Sequence, residues 1–423
     1  MHLNELNILL KEQYQNSQLL NDLGLIINDY NNLQINKSIQ KLDDIVNNYI
    51  QINYPKVSCA VLTYNEEKNI KRCIDSLEKQ FDEIIIIDSG SRDNTLPIIK
   101  SNFPKVKIYL EDWKKDFSLQ RNKAIQYCTT EWIYFIDADN YIANSEENSI
   151  KRIAKLVSYL QISGVISPYI IEHDNSFSID TRKMFRKKDN IHFYGKVHEE
   201  PLYKDLGSPQ NIVANINVHH DGYDSKKVNQ EKKTIRNLEL EKEMLEKEEE
   251  NPKWFYFYAR SLYFLKQDKE VIKSNLLHAL SLYEKWKDKR YYVNVISYLC
   301  KLSYETQDFK SLKQFTILLD KCTHNCSDVD YYNGLILLYS LQNKLNNFSY
   351  ILETNESKYK SEEYYSLVNN SHDHIQTLRI QTALMLGDYE KALKLTNKIQ
   401  TLEIRNETLE KISTISQHVN KII

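Results

Sequence analysis

Acidic side chains follow several apolar runs of the sequence, at the points where those runs end. Asp137 and Asp139 flank Ala138, directly after the apolar run 132–136. Two carboxylates at this spacing in a tight loop can bind a hard divalent cation without filling its coordination shell. The remaining positions can take diphosphate oxygens, so that the cation neutralises charge on a departing nucleoside diphosphate. This chemistry makes Asp137-Ala-Asp139 the most informative feature of the chain.

Two other apolar runs also end in polar residues. The run 57–62 is followed by Thr63-Tyr-Asn-Glu66, and the run 83–88 leads into Asp88-Ser-Gly-Ser91. A single aspartate after a strand is often a helix cap, but three such segments at one sheet edge favour a binding site. The first strand is not followed by Gly-x-Gly-x-x-Gly, which counts against a dinucleotide enzyme. The chain also lacks Gly-x4-Gly-Lys-Ser/Thr, which counts against a P-loop NTPase.

The elements that would position these residues alternate between strand and helix over residues 51–223. Short apolar runs predict strands at 57–62, 83–88, 106–110 and 132–136. Helices are predicted between them, at 70–77, 97–102 and 118–127. The resulting βαβαβαβ order predicts an α/β domain with a doubly wound, mostly parallel sheet. Ligands would bind beyond the carboxyl ends of its strands.

Three further segments flank this domain. Residues 1–50 predict two short amphipathic helices, which we expect to form an accessory cap on a neighbour or a second copy. Residues 224–251 carry charges of both signs and predict a charged helical linker with a solvated face. Residues 252–423 repeat aromatic and aliphatic residues at helical spacing about every 40 residues, which predicts an all-α domain of TPR-like helical repeats.

Composition excludes several classes of protein. The 423 residues carry a net charge of −2, so no basic field would recruit nucleic acid or anionic lipid. Only 8 glycines and 7 prolines occur, which favours long helices over a sandwich or propeller. No apolar run reaches the roughly 18 residues that a membrane span needs, and no signal-peptide core follows Met1. We therefore expect a cytoplasmic protein without a membrane partner.

Several motifs, in this order, resemble those of family 2 glycosyltransferases of the GT-A (Rossmann-like) fold. They are Thr63-Tyr-Asn-Glu-Glu67, Asp88-Ser-Gly-Ser-x-Asp-Asn-Thr95, Trp113-x2-Asp-Phe-Ser118, Gln120-Arg-Asn-Lys-Ala124, Asp137-Ala-Asp139, Arg182-x-Met-Phe-Arg186, Gly195-x-Val-His-Glu199 and His220-x-Gly-Tyr223. The match covers about residues 55–223. The whole layout, with Val197-His-Glu-Glu-Pro201 and Glu250-Asn-Pro-Lys-Trp254, is similar to that of sublancin-type peptide S-glycosyltransferases of glycocin biosynthesis.

This resemblance implies an inverting, metal-dependent transfer of a hexose, with glucose as the expected sugar. The donor would be a UDP-hexose, the cofactor Mn²⁺ or Mg²⁺, and the acceptor a cysteine thiol of a bacteriocin-type peptide. The helical repeats would form the docking surface for that peptide. The resembled enzymes are dimeric, which implies a homodimer.

The resemblance also implies a role for each matched residue. The nucleotide-sugar site would contain Thr63, Tyr64, Asn65, Glu66, Asp88, Arg121, Asp137 and Ala138. Asp139 would be a catalytic metal ligand together with His220, although His219 is a competing ligand. Arg182 and Arg186 either bind diphosphate or form surface ion pairs. No Glu-Asp pair occurs where the family's general base usually lies, so Glu199 is the expected base and His198 the next candidate.

Two alternative functions remain at this point. The same enzyme class could act on a lipopolysaccharide-core or other glycan acceptor, since similar motifs occur in such enzymes. The chain could also be a helical scaffold whose transferase domain is inactive. Clustered carboxylates argue against the scaffold, because a retired site has no physical need for them. A thiol acceptor depends little on a general base, because a few per cent of a thiol with a pKa of about 8.5 is already thiolate at pH 7.

Overall fold

The computed structural model describes residues 1–143, 148–172, 176–205, 207–220, 226–356, 366, 368–369 and 371–422. These residues form two compact units, Met1–Asp288 and Lys289–Ile423. The predicted boundary at 223/224 and the motif residues Gly222 and Tyr223 lie outside the described residues.

A large mixed β-sheet forms the centre of the first unit. Its strand order is β3-β2-β1-β4-β8-β6-β11-β5, with β7 paired to β6, while β9 and β10 form a separate antiparallel pair. The strands are β1 (Val57–Thr63), β2 (Glu83–Asp88), β3 (Lys107–Leu110), β4 (Trp132–Asp137), β5 (Asn140–Ile142), β6 (Val165–Glu172), β7 (Phe177–Ser178), β8 (Met184–Arg186), β9 (His192–Tyr194), β10 (Glu200–Leu202) and β11 (Asn211–His220).

The half of the sheet built from β1 to β4 is parallel, as the sequence predicts. Its strands are connected by α4 (Ile70–Leu77), α5 (Thr95–Asn102) and α6 (Phe117–Tyr127). In the register, Thr63 pairs with Asp88 and Leu62 with Asp137, so the carboxyl ends of β1, β2 and β4 are level. This alignment brings the three polar loops to one edge of the sheet.

The other half of the sheet departs from the parallel pattern. Strand β8 is antiparallel to both of its neighbours, β4 and β6, and β5 is antiparallel to β11. Helix α7 (Ser149–Leu160) precedes β6, which pairs in parallel with β11. Strands β5 and β8 have only three residues each, and polar residues or proline interrupt the apolar residues of β6 and β11, so single-sequence patterning does not predict them.

The N-terminal residues belong to the core of the first unit. They form three helices rather than two: α1 (Leu3–Gln13), α2 (Gln18–Leu23) and α3 (Leu42–Gln51). Leu6 and Leu19 are fully buried in the same apolar cluster as β1. Asp22 on α2 accepts a hydrogen bond from Arg152 Nε of α7 at 2.6 Å. The segment therefore packs on its own unit, which is the first of the two alternatives that the sequence left open.

The remaining helices divide between the two units. The first unit holds α8 (Lys226–Lys247), α9 (Pro252–Phe264) and α10 (Lys269–Tyr283). The second unit holds α11 (Tyr292–Glu305), α12 (Phe309–Cys322), α13 (Ser327–Thr354), α14 (Asp373–Met385), α15 (Tyr389–Thr396) and α16 (Leu402–Ile422). The division at 288/289 differs from the predicted boundary at 251/252, because α9 packs on α8 and on the sheet-side segment 195–200.

Three helical hairpins repeat the same turn. A residue with a left-handed backbone lies one or two positions before an aspartate: Lys266 before Asp268, Gln307 before Asp308 and Gly387 before Asp388. Each aspartate then caps the next helix by accepting a hydrogen bond from a backbone N–H. The three caps lie about 40 or 80 residues apart, at the repeat length that the sequence indicates. None of the helices in the described part of the chain is both long and apolar enough to cross a lipid bilayer.

Candidate active site

Asp88 organises the loop that follows β2. Its carboxylate is fully buried. Oδ1 accepts hydrogen bonds from the backbone N–H groups of Gly90 (3.0 Å) and Ser91 (2.8 Å), and Oδ2 accepts one from Thr63 Oγ1 (2.9 Å). The sequence assigned Asp88 to the nucleoside. Both of its carboxylate oxygens accept hydrogen bonds from groups of the protein itself. Asp88 therefore stabilises the conformation of the loop 88–91. The outer face of that loop remains accessible to a ligand.

The segment after β1 is joined to this loop. Asn65 adopts a left-handed backbone (φ 57°). Its N–H donates a hydrogen bond to Ser91 Oγ (2.9 Å), and its Oδ1 accepts one from the Arg92 N–H (2.8 Å). Tyr64 is 55% exposed beside it. Burial, together with the charge of Asp139, raises the pKa of Glu66. Hydrogen bonds therefore join the sequence-predicted residues 63–66 to the loop that begins at Asp88, and Tyr64 presents an exposed aromatic ring beside that loop.

Arg121 joins two carboxylates of the site. Its Nε donates to Glu199 Oε1 at 2.5 Å and its Nη2 to Asp137 Oδ1 at 3.1 Å. Lys183 Nζ contacts the other Asp137 oxygen at 2.7 Å. Although burial opposes ionisation, the charges of Lys183 and Arg121 hold the pKa of Asp137 well below its usual value. Arg121 is predicted from the sequence to contact donor ribose or phosphate, and in the structure its guanidinium donates to two protein carboxylates.

Lys183 is a site residue that sequence reasoning missed. It occupies the unassigned position of the Arg182-x-Met-Phe-Arg186 motif. Arg182 donates to Ser208 Oγ (2.6 Å) and Asp180 (2.7 Å), whereas Arg186 donates to Asp189 (2.9 Å). Both arginines therefore stabilise local structure, and neither lies with the carboxylates of the site. Lys183 directly precedes β8, and its backbone hydrogen-bonds to Phe135 of β4 and Ile166 of β6, which holds it beside the end of β4.

His220, the last residue of β11, forms a carboxylate–histidine pair with Asp139. Glu172, the last residue of β6, contacts the same imidazole. His220 Nε2 is 3.2 Å from Asp139 Oδ2, and its Nδ1 is 2.7 Å from Glu172 Oε2. The sheet register pairs His220 with Glu172 directly. The hydrogen bond with Asp139, reinforced by Glu172, raises the pKa of His220 to about 9. Glu172 was missed by sequence reasoning, which predicted no strand there.

The neighbouring histidine takes no part in this pair. The ring of His219 stacks on Tyr141, with ring centroids 5.4 Å apart. Successive residues of a strand point to opposite faces, so only one of the two histidines can face Asp139. His220 is the histidine that contacts Asp139.

The Asp139–His220 pair fits a divalent cation. It supplies one oxygen and one imidazole nitrogen, and Glu172 on the second ring nitrogen would set the orientation of the imidazole, as carboxylates do in many metal sites. Among the described residues no group of three or more His, Cys, Asp or Glu side chains is arranged to hold a metal. Two protein ligands would leave coordination positions for substrate oxygens and water.

The two candidate bases face different parts of the protein. Glu199 lies with Arg121, and its side chain is only 10% exposed. The ring of His198 stacks on Phe257 at 3.8 Å, and its Nε2 lies 2.7 Å from Glu241 Oε1. Burial lowers the pKa of His198 well below its usual value, with Arg260 and Lys253 acting in the same direction. The geometry therefore separates His198 from the carboxylate cluster and leaves Glu199 within it.

Aromatic residues of α9 and at the start of α6 pack within the protein. Trp254, Tyr256 and Phe257 of α9 are buried. Trp113 packs edge-on against Phe117, with centroids 4.6 Å apart, at the start of α6.

Known proteins similar to this chain support an assignment to a family. A family model described as "Glycosyl transferase family 2" matches residues 58–198. The SPbeta prophage-derived glycosyltransferase SunS of Bacillus subtilis strain 168, and the glycosyltransferase SunS of Bacillus phage SPbeta, are each 35% identical over 425 residues. Each match covers 100% of this chain and 99% of the relative.

Two further matches are partial. A TPR repeat-containing protein of Synechococcus elongatus is 30% identical over 148 residues, 34% of this chain and 35% of that protein. The match to the crystal structure of S. aureus TarS has 16% identity and a TM-score of 0.34, and it covers 62% of this chain and 50% of that chain. Because the SunS proteins align with this chain from end to end, it belongs to the family 2 glycosyltransferases and is a SunS-type enzyme.

Proposed function

We propose that this glycosyltransferase moves a hexose, with glucose as the expected sugar, from UDP-hexose to a cysteine thiol of a bacteriocin-type peptide. The end-to-end similarity to SunS supports the enzyme class. The motifs shared with glycocin S-glycosyltransferases support the acceptor class. The observation that carries the proposal is the Arg121 bridge, which joins Asp137 at the sheet edge to the buried carboxylate of Glu199.

Donor binding is assigned to the surface formed by the loops after β1, β2 and β4. Tyr64 offers an exposed ring on which a uracil can stack. Thr63, Asn65, Glu66 and Ala138 line the same edge, and Asp88 holds the loop 88–91 in place. Asp137, oriented by Arg121 and Lys183, is assigned to the sugar or ribose hydroxyls as a hydrogen-bond acceptor.

Asp139 and His220 are assigned to a Mn²⁺ or Mg²⁺ ion, with Glu172 orienting the imidazole. When bound, such an ion would neutralise negative charge on the diphosphate leaving group. A nitrogen ligand favours Mn²⁺ modestly over Mg²⁺.

Glu199 is assigned as the general base of an in-line displacement. The acceptor sulfur attacks the anomeric carbon, the bond from that carbon to the diphosphate oxygen breaks, and the thiol proton passes to Glu199. The new C–S bond forms on the face opposite the leaving UDP, so the anomeric configuration inverts. Arg121 holds one Glu199 oxygen, which fixes the direction from which the carboxylate approaches the acceptor.

The acceptor peptide is assigned to the helix pairs of the C-terminal unit, because an amphipathic helix can dock its apolar face between packed helices. We further propose a homodimer that works in the cytoplasm. The six cysteines of the chain form no disulfide, which supports a reducing compartment.

The test is to incubate the protein with Mn²⁺, a panel of UDP-hexoses and a glycocin-like peptide that carries one cysteine or its serine replacement. Intact-mass spectrometry of the peptide and assay of released UDP are the two readouts. Addition of one hexose to the cysteine peptide is the expected result. Release of UDP without a peptide adduct would move the acceptor to a glycan. No release and no thermal shift with UDP would contradict donor use itself.

A further inference from the structure

The segment 194–200, which contains Glu199, is anchored on helices α8 and α9. Tyr194 donates its hydroxyl to Glu248, and Lys196 pairs with Glu243. Glu248 also accepts a hydrogen bond from Trp254 Nε1 at 2.7 Å. These contacts attach the start of the segment to the end of α8 and the beginning of α9.

Gly195 makes a close approach to the same helices. Its φ is +108°, and a Cβ placed there would lie 2.8 Å from the ring of Trp254. Any side chain at this position would require the backbone or the indole to move. The glycine therefore allows the segment to lie directly on α9.

His198 is held at three points. Its Nε2 lies 2.7 Å from Oε1 of Glu241, a fully buried carboxylate that also accepts a hydrogen bond from Ser261 Oγ at 2.9 Å. Its ring stacks on Phe257. Its carbonyl oxygen accepts a hydrogen bond from Lys253 Nζ at 2.8 Å, and the same ammonium pairs with Glu200 at 3.2 Å.

These contacts maintain an unfavourable backbone conformation. His198 has a φ of +48°, in the left-handed region that a residue with a Cβ seldom adopts. Such a conformation persists only where surrounding contacts hold it. Directly after the turn at His198, the Glu199 side chain meets Arg121 at 2.5 Å.

We propose that Glu241 and Lys253 are positioning residues of the transfer reaction, which hold the turn at His198 so that Glu199 faces the acceptor. This inference rests on the proposed function, in which Glu199 is the general base. It gives the Asn251-Pro-Lys-Trp254 motif a role: the lysine and the tryptophan of α9 hold the two sides of the turn. The helical segment then belongs to the catalytic apparatus as well as to the scaffold.

Two variants test the inference, and both preserve side-chain volume. Lys253→Met removes the ammonium, and Glu241→Gln replaces the carboxylate that faces His198. We expect kcat to fall on the order of tenfold to a hundredfold, as displacement of a reacting group by about 1 Å does. The Kd for UDP should stay close to wild type in both variants. The melting temperature of Lys253→Met should fall, because Glu200 loses its ion pair with Lys253. Glu239→Gln, at an exposed position of α8, is the matched control and should keep the wild-type rate.

A double variant separates positioning from a general structural effect. If Lys253 acts through Glu199, then Glu199→Gln combined with Lys253→Met should be no more than about twofold slower than Glu199→Gln alone. Losses that multiply would overturn the inference, as would a wild-type kcat in both Lys253→Met and Glu241→Gln. If Glu199→Gln transfers slowly while Lys253→Met and Glu241→Gln transfer at the wild-type rate, only the positioning role is overturned. Wild-type transfer by Glu199→Gln overturns the base assignment and the positioning role together.

Discussion

Arg121 Nε and Glu199 Oε1 lie 2.5 Å apart, although 78 residues separate them in the chain. The guanidinium is held by α6, and the carboxylate comes from the turn that α8 and α9 support. Because both side chains are about nine-tenths buried, solvent screens this pair little. The Arg121–Glu199 pair therefore couples the parallel sheet to the helical part of the first unit.

The first prediction concerns this pair. Arg121→Met should lower the free energy of unfolding by about 3 kcal/mol, because it leaves buried Glu199 without its cation while Asp137 keeps Lys183. Transfer should fall with it, since both carboxylates lose their orientation. Urea denaturation and hexose transfer measure the two effects. The control is Lys123→Met, at a half-exposed lysine of the same helix, and equal stability of the two variants would contradict the prediction.

The second prediction concerns the base. Glu199→Gln should slow transfer to a serine peptide by about 10²- to 10⁴-fold, the usual contribution of a general base. Transfer to the cysteine peptide should fall less, and the loss should shrink as pH rises towards the thiol pKa of about 8.5, because thiolate needs no base. The measurement is a pair of initial rates at several pH values. Equal losses for both acceptors at every pH would remove Glu199 as the base.

The third prediction concerns the carboxylate–histidine pair. Asp139→Ala and His220→Ala should abolish transfer and Mn²⁺ binding, whereas Glu172→Gln should weaken Mn²⁺ affinity by about 10- to 100-fold, as loss of an orienting partner does. His219→Ala is the matched control, because its ring faces Tyr141. Mn²⁺ titration by electron paramagnetic resonance gives the affinities. Wild-type transfer that EDTA leaves undiminished would exclude a metal role.

The fourth prediction concerns acid stability. Burial opposes ionisation of Glu83, but hydrogen bonds from Lys107 (2.6 Å), Ser58 and Thr129 (2.9 Å) lower its pKa from 4.5 to about 2. A folded-state pKa below the unfolded value stabilises the protein above pH 4.5, and this stability is lost as pH falls towards 2. The contribution is on the order of 3 kcal/mol.

Glu83→Gln should remove this part of the pH dependence. We expect the wild type to be more stable than the variant at pH 7 and the two to converge near pH 2, in urea denaturation at fixed temperature. A constant difference in the free energy of unfolding from pH 7 to pH 2 would contradict the assignment.

The fifth prediction concerns Gly195. Gly195→Ala combines an unfavourable φ with a contact of 2.8 Å to Trp254, whereas Gly387→Ala meets an unfavourable φ of +77° with open space around it. We expect the second variant to lose about 1 kcal/mol of stability, and the first to lose more. Only Gly195→Ala should also slow transfer, because it displaces the segment that carries Glu199. The measurements are thermal unfolding and the transfer rate of both variants. A wild-type transfer rate in Gly195→Ala would contradict the prediction.

The sequence predicted the parallel half of the sheet well. The run Glu83–Asp88 is apolar and β-branched over its centre, and the structure buries Ile84 and Ile86 on one face and Ile85 and Ile87 on the other. The same local signal located the carboxyl ends of β1, β2 and β4. The polar residues of three loops could therefore be assigned to one edge before any contact was known.

The sequence did not predict which side chains would meet across that edge. Lys183 directly precedes the three-residue strand β8, and Glu172 ends β6, whose apolar residues are interrupted by Ser167-Pro168. Their partners, Asp137 and His220, lie 46 and 48 residues away. The separation of Glu199 from His198 depends on one left-handed residue and on helices that follow later in the chain.

The sequence by itself determined the enzyme family, the parallel strands and the polar loops that follow them, because these depend on motifs and on the local periodicity of apolar residues. Tertiary structure decided the docking of the N-terminal helices, the selection of His220 over His219 and the partner of Arg121. Periodicity identifies the face of an element that is buried, but it does not identify the surface that covers it. That surface is specified only when residues distant in the chain pack together.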